Sequence, residues 1–226
     1  MRMRFKDRTE AGKMLAKSLA AYEGTPGLLV LALPRGGVPV AYEVARALKA
    51  PLNVFMVRKL GVPANPELAM GAIASGGVRV LNDSVVTMLG LSPLVIDGVA
   101  RRELRVLERR EVAYRHHQPA LAIRNHTVII VDDGIATGST MRAAIEALRQ
   151  LNPARLIVAT PTVAWSTAEE LRAEVDEFYA LITPETFNSV GEWYVEFPQT
   201  TDEEVCALLE KANAALSRPY HSPRSS

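Results

Sequence analysis

VIIVDDGIATGST occupies residues 128–140. An apolar run ending at Val131 meets two adjacent acids, Asp132 and Asp133, and then the cluster Thr137, Gly138, Ser139 and Thr140. An uninterrupted apolar run is buried on both faces, as in a strand of a parallel sheet. The residues that follow, STMRAAIEALRQL (139–151), have helical spacing. The stretch therefore reads as strand, loop and helix. Amides at such a helix start carry partial positive charge and suit a phosphate. The Lys of a Walker loop is missing and the Gly spacing differs, which disfavours a nucleoside-triphosphate hydrolase. Two carboxylates would repel a phosphate, but they accept hydrogen bonds from a sugar diol. One ligand reconciles the two halves. The loop holds the 5-phosphate of a pentose, and Asp132 and Asp133 hold its 2- and 3-hydroxyls.

The same alternation extends outward. Residues 8–22 space Leu15, Leu19 and Tyr22 as in a helix that stops at Gly24. GLLVLALPRGG (27–37) is an apolar strand halted at Pro34, and VPVAYEVARALKA (38–50) is an amphipathic helix. PLNVFMVRKLG (51–61) repeats the strand with its Gly stop. ARLIVATPTVA, EFYALIT and GEWYVEF read as later strands, and TAEELRAEV and TDEEVCALLEKANAAL as helices, the last with Thr201 as N-cap. Between them, residues 61–83 read as a loop followed by an irregular hairpin. Residues 93–116 form one long helix, apolar along Ile96, Ala100, Leu104, Leu107 and Tyr114 and rich in Arg on the other side. Strands alternating with helices imply an α/β layer fold with a parallel, doubly wound sheet.

Bulk properties narrow the function. The chain has 226 residues and a net charge of +1, which gives no general pull toward nucleic acid or membrane. Cys206 is the single cysteine, in keeping with a reducing compartment. No apolar run approaches the ~20 residues of a membrane span. A cytoplasmic location is expected. His116 and His117 are adjacent at a helix end, where they suit its dipole better than a metal.

VIIVDDGIATGST resembles the signature of type I phosphoribosyltransferases, with Gly134 a mild departure. LPRGGVPVA (33–41) resembles the family's pyrophosphate loop, in which the resemblance implies a cis peptide at Pro34–Arg35, close approach at Gly36 and Gly37, and a charge from Arg35. VRKLG (57–61) is similar to the Arg–Lys pair of adenine and orotate members. It implies pyrophosphate contacts from Lys59 and, less directly, Arg58. A loop closing over the ligands is then expected at residues 61–76, with Glu67 as its only acid. TPETFNSVGEWYVEF resembles the C-terminal hood of 6-oxopurine members, with Phe187 stacking on the base and Trp193 as the second choice.

The resemblance implies a Mg²⁺-dependent transfer of phosphoribosyl from 5-phosphoribosyl 1-pyrophosphate (PRPP) to a nitrogen acceptor such as a nucleobase. Asp132, Asp133, Lys59 and Arg35 would carry the chemistry. The two acids would meet the metal mostly through ribose hydroxyls or water. Gly134, Ile135, Ala136, Thr137, Gly138, Ser139 and Thr140 would form the phosphate loop. The acceptor stays open, because Ala136 matches adenine members while the hood resembles oxopurine ones. A homodimer is the family expectation. The expected layout is one domain over residues 1–218, with a core at 25–183, a helical insertion at about 83–118, a hood at about 184–200 and a disordered tail at 219–226. The rival reading is a PRPP-sensing regulator whose Arg-rich helix contacts nucleic acid.

Overall fold

The computed structural model describes residues 3–115 and 122–216. His116, His117 and the tail 219–226 lie outside them. Five parallel strands form the central sheet in the order β2-β1-β6-β7-β8: β1 (Leu28–Ala32), β2 (Leu52–Val54), β6 (Thr127–Val131), β7 (Arg155–Thr162) and β8 (Glu177–Ile182). Helices α1 (Arg8–Ser18) and α2 (Gly37–Leu48) cover one face, and α5 (Ser139–Gln150) and α6 (Trp165–Arg172) cover the other.

The apolar runs explain the sandwich. Successive strand side chains point to opposite faces. Val30, Ile129, Val131 and Ile157 join the α1/α2 core, while Leu29, Leu31, Val128, Ile130 and Val158 join the α5/α6 core. Each fully buried aliphatic side chain contributes about 1.5–3 kcal/mol. That fixes which strands lie centrally, and so which strand ends meet at the site.

A second, antiparallel sheet orders β3 (Val57–Val62), β4 (Asn65–Ala74) and β5 (Arg79–Leu81) as β3-β4-β5. Here two expectations need correction. PLNVFMVRKLG is not one strand, because β2 ends at Val54 and β3 starts afresh in the other sheet. Residues 61–76 are not an open loop, because most of them pair along β3 and β4. Their small and β-forming residues alternate weakly, so pairing with a neighbour decides their state more than propensity does.

Helices α3 (Asp83–Met88) and α4 (Pro93–Arg115) follow β5. The apolar face of α4 buries Ile96, Ala100, Leu107 and Tyr114, with packing against β3 and the closing helix α7 (Asp202–Leu216). Thr201 caps α7, accepting from the Glu204 amide at 3.1 Å. GEWYVEF is not a regular strand: a 3-10 turn spans Val190–Trp193, and Tyr194 bridges to Phe5. Among the described residues no helix is long and apolar enough to cross a membrane.

Candidate functional site

Strands β1 and β6 are direct neighbours, with Ala32 in register with Val131. Their carboxyl ends open side by side, and the Leu33 amide still donates to the Val131 carbonyl at 2.9 Å. Ligands of open α/β sheets bind at this edge. The first loop carries a cis peptide at Pro34–Arg35 and runs into α2 through Gly36. A β-carbon on Gly36 would lie 2.1 Å from Asp133 Oδ2. Only glycine lets this loop rest on the acid.

The second loop leaves β6 through Asp132 and Asp133. The Ile135 amide donates to the Thr162 carbonyl at 2.9 Å, and Thr167 Oγ1 donates to the Ala136 carbonyl at 2.7 Å. These bonds tie the base of the loop to β7 and α6 and leave its tip outside. Thr137, Ser139 and Thr140 are exposed, and the Thr137 and Ser139 hydroxyls lie 3.1 Å apart. Helix α5 starts at Ser139, and its N-cap Gly138 has no side chain to cap it. Helical amides of the first turn lack intrahelical acceptors. The loop thus presents hydroxyls and amides together, the combination that binds a phosphate.

The two acids are not equivalent. Asp133 is buried, and Arg8 Nε donates to its Oδ2 at 2.7 Å. Its carbonyl accepts from the Tyr194 hydroxyl at 2.5 Å. Asp132 is partly accessible as a residue, but its carboxyl is enclosed, with Oδ1 accepting from the Asp133 amide at 2.9 Å. Burial pushes the Asp132 carboxyl well above the usual carboxylate range, and the neighbouring Asp133 charge adds to it. Burial also raises Asp133, while Arg8 pulls it back. In the free protein the two acids are therefore held differently, Asp133 by Arg8 and Asp132 by the neighbouring amide. The carboxylate of Asp133 is already engaged, and consecutive side chains at a strand end diverge.

A family model for the phosphoribosyl transferase domain matches residues 7–196. The chain belongs to that family. It is 45% identical over 209 residues to Rv0571c of Mycobacterium tuberculosis, which is named provisionally as a phosphoribosyl transferase. That match covers 92% of this chain and 47% of the relative, so the chain spans about half the length of the curated relatives it matches. A shorter match, 26% identical over 141 residues, is to the bifunctional protein PyrR of Corynebacterium diphtheriae, covering 62% of this chain and 56% of that one. Among solved structures, TT1426 from Thermus thermophilus aligns with a TM-score of 0.81 at 42% identity, covering 92% of this chain and 99% of that one.

In this phosphoribosyl transferase domain the cations have partners that spacing did not reveal. Arg35 lies 3.7 Å from Asp202 at the start of α7, and Asp202 also accepts from the Tyr114 hydroxyl. Arg58 is part-buried against Glu103 of α4 at 2.6 Å. It sits within β3 rather than at a carboxyl end of the parallel sheet, and in the free protein it joins that strand to α4. Lys59 is paired with Glu67 at 3.3 Å, and both are largely exposed. Lys59 shares a cavity of about 400 Å³ with Ser139 and Thr140, between β3–β5 and α5. That cavity brings it within the surroundings of the phosphate loop.

Phe187 is half-buried and stacks on buried Trp193, ring centres 6.0 Å apart. One face of Phe187 is therefore taken by the hood itself. Gly134 lies beneath the hood residue Val190, which accounts for its place in the motif. Sequence reasoning missed Arg8 and Asp202. A buried acid demands a cation, but from the sequence Asp133 reads as facing a ligand, which signals no partner within the chain. Nothing in local spacing pointed to a residue 125 positions away.

Proposed function

We propose that this chain is a Mg²⁺-dependent phosphoribosyltransferase that takes PRPP as donor and a nitrogen base as acceptor. One observation carries the reading. The loop with the cis peptide and the uncapped start of α5 lie side by side at adjacent strand ends, with Asp132 between them. Two anion cradles separated by one carboxylate match a ligand with phosphate at one end, pyrophosphate at the other and a diol between.

The work divides as follows. Amides and hydroxyls from Thr137 to Thr140 hold the 5-phosphate. Asp132 accepts from the ribose hydroxyls. As the bond from C1 to pyrophosphate breaks, positive charge grows on the ribose ring, and a fixed carboxylate lowers the energy of that state. Arg35 leaves Asp202, and Lys59 leaves Glu67, to hold the departing anion. Exchange is inexpensive because exposed ion pairs contribute only about 0–1 kcal/mol. The acceptor nitrogen attacks from the face opposite pyrophosphate, inverting C1. Asp132 offers the hard oxygen atoms that Mg²⁺ prefers, and such an ion commonly completes its shell with phosphate oxygens and water. When bound, it would neutralise charge on the leaving pyrophosphate.

The test incubates the protein with PRPP, Mg²⁺ and a panel of purines, pyrimidines and simple amines, and reads pyrophosphate release. Release with at least one acceptor is expected. Thermal stabilisation by PRPP with no release from any acceptor would favour a PRPP sensor instead. The exposed row Arg101, Arg102, Arg105 and Arg109 on α4 supports that second reading. Salt-dependent oligonucleotide binding, altered by PRPP, would decide for it.

A further inference from the structure

Arg8, the first residue of α1, engages two of its three guanidinium nitrogens. Nε donates to Asp133 Oδ2 at 2.7 Å, and one terminal nitrogen donates to the Pro198 carbonyl at 2.6 Å. The centre of the group lies over the Phe197 ring, 3.8 Å from its centroid. Phe197 in turn stacks on Tyr194 at 4.9 Å, and the Tyr194 hydroxyl returns to the Asp133 carbonyl. The circuit joins α1, the acid pair and the aromatic segment that follows Trp193. Phe5 extends it, with its amide donating to the Trp193 carbonyl at 2.8 Å and its ring packed on Tyr194.

The enclosure makes this more than a surface ion pair. The side chains of Arg8 and Asp133 are 11% and 12% exposed. A buried carboxylate stripped of its cation is strongly disfavoured, and Gly36 packs directly on the same oxygen. Asp133 therefore cannot turn toward the ligand edge without breaking its bond to Arg8 and pressing on the first loop.

We propose that Arg8 is a positioning residue for the ribose site: it fixes the Asp133 carboxylate beside Asp132 and against the hood, and so sets the distance between the acid pair and the hood. This rests on the phosphoribosyl reading only for its ligand; the circuit itself belongs to the free protein. Arg8 touches no reacting atom and acts through Asp133 and the hood. An arginine suits the place because its planar group bonds two acceptors and stacks on a ring at once, which lysine does not do.

The test has two arms, both in a Trp165→Phe background so that Trp193 is the sole tryptophan and is excited selectively. In the free protein, Arg8→Gln and Asp133→Asn should each shift Trp193 emission to the red and raise its quenching by acrylamide. Arg8→Gln/Asp133→Asn should do no more than Arg8→Gln alone, because both break one circuit. Arg8→Lys, which keeps the charge but not the stack, should fall between. In the second arm, PRPP affinity in Mg²⁺ should fall about tenfold in Arg8→Gln, the effect expected of losing one buried charged contact. Added guanidinium ion should recover part of it. A purely structural arginine would not be rescued in this way.

Unchanged Trp193 emission in Arg8→Gln, or additive effects of the two substitutions, would overturn the proposal. So would PRPP affinity equal to the parent's. If the Trp165→Phe parent itself fails to bind PRPP, the phosphoribosyl reading fails, and the fluorescence arm still judges Arg8 by itself.

Discussion

Val190 lies directly over Gly134: a β-carbon added to the glycine would come within 2.3 Å of Val190 Cγ1. The hood and the phosphate loop are thus in contact through a residue with no side chain. Gly134→Ala forces Val190 outward, and overpacking of this kind costs about 1–3 kcal/mol. Urea denaturation should show that loss, and pyrophosphate release should fall with it. Val190→Ala introduced into the same chain should restore most of both. Failure of that restoration would mean Gly134 serves the loop by itself rather than by making room for the hood.

Asp132 and Asp83 provide the sharpest comparison among the acids. Asp83 stands in the first turn of α3, while Asp132 sits between the two loops. Asp132→Asn should lower turnover by about 10²–10³, the scale on which a preorganised charge acts on a developing one. Asp83→Asn should leave turnover near wild type. Steady-state rates on the best acceptor from the panel check this, and equal losses would remove Asp132 from the chemistry.

The raised Asp132 carboxyl makes a prediction with two opposite signs. Its folded state holds a proton more firmly than the unfolded chain does. Its contribution to stability is therefore present below the ordinary carboxylate range and is lost as pH rises through the raised value. Asp132→Asn should flatten that decline and leave the free protein more stable than wild type at neutral pH. PRPP binding should run the other way, strengthening with pH as the carboxylate forms. Urea melts and PRPP titrations across the same pH series would expose a parallel rather than opposed pair of curves.

Arg58 and Lys59 are neighbours in sequence with separate fates. Arg58 is part-buried on Glu103, whereas Lys59 meets an exposed glutamate near the phosphate loop. Arg58→Ala leaves a partly buried acid without its cation, so it should lower the melting temperature by several degrees, about 1–3 kcal/mol. PRPP affinity should barely move. Lys59→Ala should preserve the melting temperature and weaken pyrophosphate release by about tenfold or more. The reverse pattern would return Arg58 to the pyrophosphate.

Much of the fold was legible because its signals are local. The apolar runs at 28–32, 127–131 and 155–162 carry the strand pattern within a few residues, and helical spacing is equally short-ranged. The loop after Val131 was legible for the same reason, since its glycine, hydroxyls and acids are contiguous. The hairpin of β3 and β4 was not, because its residues have weak intrinsic preference and β4 shifts register beside Gly71 while pairing on both sides.

The sequence by itself determined the alternating layers, the strand-end loops and the acid pair that ends β6. Tertiary structure alone decided that Arg8 answers Asp133, that Glu103 claims Arg58 and that Val190 needs Gly134. The reason is physical. Strand and helix patterns follow from backbone geometry that repeats every two or 3.6 residues, whereas an ion pair or a steric contact depends only on distance in space. Arg8 and Asp133 are far apart along the chain, and no periodicity connects them until the sheet and α1 have packed.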